Sequence, residues 1–366
     1  MNYDNLMREC FSLARKGRGK VLTNPMVGAI VYKDGEVIGR GYHKSFYDDH
    51  AEIDCFKNLK GSAEGATLIV NLEPCSHFGK HPPCVDEVIR RKIKRVVISN
   101  IDTNPKVDGI SKLKACGIEV ISGVLEEEGK KLNEKFFFNM SHKRPLVALK
   151  YAQSLDGKIA TGKFDSKWIS NEKSREFVHE LRNDYDAIIV GKNTLLTDNP
   201  RLTSRIDKGI DPVRIIVSDS LDLNPDLEVF KENSDGKTYI ASSSDKDIKL
   251  DSGLIRCKSK NGNIDLEDLL KKLYEKNIGS VLVEGGSVLN NSFLEEDLID
   301  KIYQFMAPII VSGFYSRSAF IGKGVDYIKD ARRFRIDDIK RFGEDVMFEV
   351  NNVYRNSWGV GSCKGI

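Results

Sequence analysis

Short apolar runs alternate with helix-forming stretches along almost the whole chain, and this alternation restricts the fold more than any other feature. After a first helix over YDNLMRECFSLARKG (3–17), the stretch MVGAIVYKDGEVIGRGYH (26–43) reads as a β-hairpin about the Asp34-Gly35 turn. A helix over 51–59, the strand ATLIVNLE (66–73), a helix over CVDEVIRRK (84–92) and the strand RVVISN (95–100) follow. A short helix and strand in SKLKACGIEVISG (111–123) complete the series. Strands and helices in this order form an α/β sheet covered on both faces. EEEGKKLNEKFFFNMSHKRP (126–145) reads as one charged helix ending in a polar turn before Pro145, which places a domain boundary between residues 144 and 145.

From there the pattern restarts. LVALKYAQSLDGKIA (146–160) is a strand and a turn, and SREFVHELRND (174–184) is a helix. The strands AIIVG, RIIVSD and TYIAS come next, then the helix LEDLLKKLYEKN (266–277) and the strand SVLVEGG (280–286). KIYQFMAPIIV and DVMFEVNNVYR make the end strand-rich. A second α/β domain over 145–355 is expected, with 356–366 as a flexible tail. A length of 366 residues accords with two cores rather than one.

Composition narrows the function classes. Forty per cent hydrophobic and 30% charged residues describe a globular protein, and a net charge of +3 with no basic stripe gives no nucleic-acid footprint. The longest apolar runs, such as AIIV (187–190) and APIIV (307–311), are far too short to span a membrane. The N-terminal MNYDNLMREC has no apolar secretory core, so a cytoplasmic location is expected. Seven cysteines at scattered spacings are not a disulfide framework, and Cys10, Cys55, Cys116, Cys257 and Cys363 read as ordinary thiols.

Cys75 and Cys84 differ. They stand in EPCSHFGKHPPC (73–84), downstream of HAE (50–52). Catalytic zinc sites use three protein ligands and leave the fourth position for water, and His50, Cys75 and Cys84 are three of the right type. Glu52 is suited to moving protons between that water and a leaving amine. Two positions along a regular helix differ by roughly 200°, so His50 and Glu52 converge only at a helix's first turn, with Asp48 and Asp49 as candidate caps. Taken as scattered Cys and His alone, the set could equally be a closed structural site completed by His77 or His81. The order His-x-Glu, then Pro-Cys…Cys, is the signature of zinc-dependent deaminases. The eight residues between the cysteines depart from the two found in nucleoside and tRNA deaminases.

With that gap, TNPMVGAIV (23–31), GYH (41–43), HAE and LEPCSHFGKHPPC (72–84) resemble one family, the bifunctional deaminase/reductase of riboflavin biosynthesis. The resemblance implies a cytidine-deaminase-like three-layer domain with one Zn2+ per chain on His50, Cys75 and Cys84 and with Glu52 as proton shuttle. It also implies substrate contacts from Asn24, His43, His77 and Lys80.

The second half has no G-x-G-x-x-G after a strand, so its residues alone give only an α/β domain. LKYAQSLDGKIAT (149–161), SKWIS (166–170), LRNDYDAIIVGKNTLLTDNPRLTSR (181–205) and VEGGS (283–287) are similar to the same family's dihydrofolate-reductase-like module. This implies NADPH contacts from Ala152, Trp168, Thr194, Asp198 and Gly286. Substrate contacts are implied from Lys150, Ser166, Arg182, Leu202, Arg205 and Glu284. On their own residue chemistry, Arg182 reads as a solvated helix face, and Trp168 is as plausible in a core as against a cofactor.

The implied function is two steps on one phosphorylated pyrimidine: zinc-dependent deamination, then NADPH-dependent reduction of the ribosyl chain. The implied enzyme is a homo-oligomer with no nucleic-acid or membrane partner. The competing readings are a free-nucleoside or nucleic-acid deaminase, a deaminase of a related pyrimidine nucleotide with a non-reducing second domain, and a zinc-stapled binding module. Departures from the family pattern are the shortened KVDGIS (106–111), Gln153 and the charge of Asp54 just beyond HAE.

Overall fold

The computed structural model describes residues 3–78, 82–231, 233–247 and 250–352. The chain divides into two compact units, Met1–Lys143 and Arg144–Ile366. The tail at 356–366 and Cys363 lie outside the described residues.

The first unit runs α1 (Asp4–Ala14), β1 (Gly28–Lys33), β2 (Glu36–Tyr42), α2 (Ala51–Lys57), β3 (Thr67–Leu72), α3 (Cys84–Arg90), β4 (Arg95–Asn100), α4 (Gly109–Ala115), β5 (Glu119–Ile121), α5 (Glu126–Leu132) and α6 (Glu134–His142). Its sheet has the order β2-β1-β3-β4-β5. β1 is antiparallel to both neighbours, whereas β3, β4 and β5 are parallel. Side-chain alternation along β1 and β2 builds three layers. On one face Ile30, Ile69 and Val97 pack on Met7, Cys10 and Phe11 of α1, and Arg40 reaches Glu9 of α1 at 2.6 Å. The opposite face receives α2 so closely that a Cβ on Gly41 would lie 2.1 Å from the Cys55 nitrogen.

The expected single charged helix is two, α5 and α6, broken at Asn133. Asn133 is 4% exposed, and its amide bonds the Met26 N–H at 2.8 Å and the Met26 carbonyl at 2.9 Å. A tertiary contact overrides continuous helix propensity there.

The second unit contains β6 (Leu146–Ser154), β7 (Lys158–Ala160), α7 (Glu172–Asp184), β8 (Ala187–Gly191), α8 (Lys192–Asp198), β9 (Val213–Val217), α9 (Glu228–Lys231), β10 (Thr238–Ser242), β11 (Gly253–Arg256), β12 (Ser259–Lys260) and β13 (Asn263–Ile264). It continues with α10 (Leu266–Glu275), β14 (Ser280–Val283), α11 (Ser287–Glu295), β15 (Lys301–Ala307), β16 (Arg317–Ser318), β17 (Phe334–Phe342) and β18 (Asp345–Asn352). Nine strands form one sheet in the order β11-β10-β9-β8-β14-β6-β15-β18-β17. Pairing is parallel from β11 through β15 and antiparallel over β15-β18-β17. Val147, Leu149, Ile189, Ile215, Val281 and Val283 pack on Leu269, Leu270 and Leu273 of α10 and on Phe293 of α11. The start of β6 is fixed by Asp300, which is fully buried. Asp300 accepts both ends of the Arg144 fork at 2.7 Å and the Val147 N–H at 2.9 Å. Among the described residues no helix is long and apolar enough to cross a membrane.

Candidate active sites

The ends of β1–β3 and the starts of two helices place the first site. His50 is the N-cap of α2, in extended conformation at φ −65° and ψ 157°, and Glu52 follows in the first turn. The two side chains therefore leave the helix before its regular rotation separates them. Neither Asp48 nor Asp49 caps this helix through its side chain: Asp48 accepts from Ser45 at 2.7 Å, and Asp49 pairs with Lys57. Cys75 lies just past β3, and Cys84 is the first residue of α3.

His50 Nδ1 is 3.5 Å from Cys75 Sγ and 3.3 Å from Cys84 Sγ, and all three donor atoms lie within 4.8 Å of one another. Zn–S bonds of about 2.3 Å and Zn–N bonds of about 2.0 Å in a tetrahedron set sulfur and nitrogen about 3.5 Å apart. The donor set and its spacing fit zinc. His77 is not part of the cluster, and among the described residues no fourth Cys, His, Asp or Glu joins it; His81 lies outside the described residues.

The three donors polarise one another. A hydrogen bond from Cys84, then one from His50, holds the Cys75 thiol down at about 4 against its burial. The shift is towards the thiolate, the metal-ligating form, whereas the hydrogen bond to Cys75, then burial, pushes the Cys84 thiol up. The Cys84 N–H also donates to the Cys75 sulfur at 3.3 Å. The bond to Cys75 in turn raises His50 to about 9. Burial pushes the Glu52 carboxyl up to about 7, opposed by the His50 charge. Glu52 is 4% exposed.

Asn24 and His43 meet beside this cluster, with Nδ2 of Asn24 3.2 Å from Nε2 of His43. The His43 and His50 rings are edge-to-face, centroids 5.7 Å apart. His77 has a buried Nδ1 without a hydrogen-bond partner. Lys80 lies outside the described residues.

In the second unit, Lys150, Ala152, Ser166, Trp168, Arg182, Thr194, Asp198, Leu202, Arg205, Glu284 and Gly286 all line one cleft of about 1620 Å³. They come from β6, α7, α8, the loops around them and the strand-to-helix turn after β14, at the carboxyl ends of parallel strands, where open α/β sheets bind ligands. One reading made from residue chemistry alone is overturned. Arg182 is not on a solvated face: its Nε and Nη2 donate to the two Glu284 oxygens at 2.6 and 2.9 Å, with side-chain exposures of 13% and 7%. For Trp168, where two readings were open, the core is the one that fails: the ring is 67% exposed under the Arg175 guanidinium, 4.6 Å from the ring centroid.

Lys150 Nζ stands 3.8 Å from Glu284, and burial lowers its pKa against that carboxylate's pull. For Glu284 burial acts upwards, but Arg182 and Lys150 outweigh it and hold the carboxyl at about 2. Gly286, at φ 78°, caps α11; a Cβ there would meet Thr194 Oγ1 at 2.9 Å, so this turn requires glycine.

Residues 145–348 match the family described as RibD C-terminal domain, and residues 1–100 match the cytidine and deoxycytidylate deaminase zinc-binding region. Riboflavin biosynthesis protein RibD of Actinobacillus pleuropneumoniae is 39% identical over 351 residues, 94% of this chain and 93% of that protein. The Aquifex aeolicus RibD is 40% identical over 348 residues, 94% and 96% of the two chains. The crystal structure of a diaminohydroxyphosphoribosylaminopyrimidine deaminase/5-amino-6-(5-phosphoribosylamino)uracil reductase from Thermotoga maritima superposes with a TM-score of 0.86 at 39% identity, covering 96% of this chain and 98% of that one.

The chain belongs to the RibD family.

It is accordingly a bifunctional riboflavin biosynthesis enzyme, a zinc-dependent deaminase joined to an NADPH-dependent reductase. The shortened KVDGIS segment and the lysine that follows it are tied directly to the metal cluster's loop. Asp108 N–H donates to Ser76 Oγ at 2.6 Å, and Lys112 Nζ donates to the Ser76 carbonyl at 2.6 Å. Buried Glu73 accepts the Asp102 and Ile110 N–H groups at 3.2 and 2.9 Å. Gly109 is required at the crossing, where a Cβ would fall 2.2 Å from the Pro74 carbonyl oxygen. Sequence reading passed over Glu73, Ser76 and Gly109, because the Glu73 and Ser76 contacts join residues 29 to 37 positions apart.

Proposed function

We propose that this chain performs two consecutive steps on one phosphorylated metabolite. Residues 1–144 deaminate 2,5-diamino-6-ribosylamino-4(3H)-pyrimidinone 5′-phosphate. Residues 145–355 then reduce the ribosyl side chain to give 5-amino-6-ribitylaminouracil 5′-phosphate. The observation that carries this reading is the His50–Cys75–Cys84 spacing, which fits a tetrahedral zinc with Glu52 buried alongside. The Thermotoga maritima protein, which acts as such a deaminase and reductase by its description, supports the substrate.

His50 Nδ1, Cys75 Sγ and Cys84 Sγ would hold zinc, which when bound supplies Lewis-acid activation of water. Glu52, beside that cluster and shielded from solvent, carries the proton to the departing amine. Asn24 and His43, already hydrogen-bonded to each other, orient the ring and ribose together with His77, and Lys80 takes the phosphate.

In the second unit NADPH, when bound, would supply the hydride for reduction at ribose C1′. Ala152, Trp168, Thr194, Asp198 and Gly286 hold that cofactor. Ser166, Arg182, Leu202, Arg205 and Glu284 hold the sugar phosphate, and Lys150 stands at the reacting carbon. Placement of both partners in reacting geometry is the protein's main contribution there. A non-reducing second domain is not favoured, because every group this step needs lines the same cleft. The same proposal makes the enzyme a cytoplasmic homo-oligomer without nucleic-acid or membrane partners, consistent with a net charge of +3 of mixed sign.

Metal content tests the carrying observation. The purified chain is expected to hold a single zinc per protomer by mass spectrometry of the ashed protein. Cys75→Ser and Cys84→Ser are each expected to lose it while the far-ultraviolet dichroism is kept. Full zinc retention in both variants would refute the ligand set.

A further inference from the structure

Asp54 is the charge that the sequence leaves without a role. It is 7% exposed and sits on α2, the helix that carries His50 and Glu52. Its carboxylate reaches across to the end of β2. Oδ2 accepts the Tyr42 N–H at 3.1 Å, and Oδ1 accepts Lys44 Nζ at 2.7 Å. Asn58 closes the same corner, donating to the Asp54 carbonyl at 2.8 Å. The two residues that Asp54 grips are the immediate neighbours of His43.

His43 is 3% exposed and is held on its other sides. Its N–H donates to the Val27 carbonyl at 2.9 Å. Nδ1 lies 3.0 Å from the Asp49 carbonyl oxygen, which can only accept, so the ring proton is on Nδ1. Nε2 is then the acceptor for the Asn24 amide at 3.2 Å. That choice sends the Asn24 NH₂ to the imidazole and leaves its carbonyl oxygen for another partner. The chain of contacts therefore runs from α2 through Asp54 to residues 42 and 44, through His43, to Asn24.

We propose that Asp54, with Lys44, is a positioning pair for the deaminase: it fixes the Asn24–His43 pair relative to the helix that bears Glu52 and His50. This rests on the functional reading above, in which Asn24 and His43 face substrate. An exposed ion pair would contribute little, but this carboxylate is buried and also satisfies a backbone N–H, and its removal leaves that donor unpaired. The pair acts on substrate binding rather than on the proton transfer, because no atom of Asp54 is needed at the reacting centre. Asparagine at position 54 keeps an acceptor for Tyr42 and loses only the ion pair; alanine loses both.

Ammonia release by the full-length, zinc-loaded enzyme separates these roles. Asp54→Ala is expected to raise KM about tenfold with kcat within about twofold, the pattern of lost binding common to ground and transition states. Zinc content and the reductase step on the deaminated intermediate are expected to stay at wild-type levels. Asp54→Asn and Lys44→Met, which each remove only the ion pair, are each expected to raise KM about threefold, an intermediate loss of uniform binding. Asp54→Ala with unchanged KM, or with a fall confined to kcat, would overturn the proposal. If that variant does not fold, Lys44→Met and Asp54→Asn decide, and unchanged KM in both overturns it. Absence of ammonia from the wild-type enzyme in the same assay would instead refute the functional reading, and this proposal with it.

Discussion

Glu52→Gln is expected to slow ammonia release by about 10³-fold, within the range of about 10²–10⁴ that a positioned acid–base group contributes, and to leave the other half of the enzyme untouched. The substitution is nearly isosteric, so the packing of a side chain only 4% exposed is preserved while its capacity to hold a proton is lost. Glu52 is not among the three donors of the cluster, so zinc content stays at the wild-type level. Cofactor oxidation with the deaminated intermediate, which uses the second unit, proceeds at the wild-type rate. A single-turnover ammonia assay reads the effect. Ammonia release within tenfold of wild type would remove Glu52 from the proton path.

Glu284→Gln has the largest expected effect on stability. Glu284 is the counter-charge for Arg182, bonded through both oxygens, and for Lys150 at 3.8 Å. Removing one partner of a buried ion pair costs about 3–5 kcal/mol, because the remaining charge stays desolvated. A loss on the order of 3 kcal/mol at pH 7 is expected in urea unfolding of the full chain.

The pH dependence has a definite sign. Burial acts to raise the Glu284 carboxyl, yet Arg182 and Lys150 bring it from 4.5 to about 2. A carboxyl whose pKa falls on folding stabilises the native state above its unfolded value, and that contribution is lost as pH drops through the folded one. The gap between wild type and variant should therefore narrow as pH falls from about 4.5 towards about 2. A variant equal in stability to wild type at pH 7 would mean that the pair contributes no net stabilisation. The same variant is also expected to lose cofactor oxidation, since Glu284 lies in the cleft between Arg182 and Lys150.

The metal cluster was the most legible part of this molecule. Its ligands occupy positions defined by local structure, an N-cap and the first residue of a helix, and such positions recur at fixed places in a sequence. The first unit's strands were also readable, because each is a short apolar run between polar turns. Other elements were hidden for identifiable reasons. α8 follows β8 without a break and is rich in Thr, Asn and Asp, which have low helix propensity. α11 buries Asn290 and Asn291, so it has no clean apolar stripe. β17 carries a bulge between Ile336 and Asp338, which interrupts the alternation that marks a strand.

The cleft was hidden for a different reason. Its candidate site residues span Lys150 to Gly286, and only the non-sequential strand order brings them together. Arg182 looked solvated because its partner is 102 residues away. Asp54 looked anomalous because Lys44 belongs to the loop beyond β2, and no helix periodicity links the two.

The most direct test of the central claim is to follow ammonia release and loss of reduced cofactor separately, with the zinc-loaded enzyme and the diaminopyrimidinone ribosyl phosphate. Ammonia is expected with or without NADPH, and with NADPH present each ammonia should be followed by the oxidation of one cofactor molecule. Cofactor oxidation preceding ammonia would reverse the proposed order. Ammonia without any cofactor oxidation would contradict the assignment of a working reductase to the second unit.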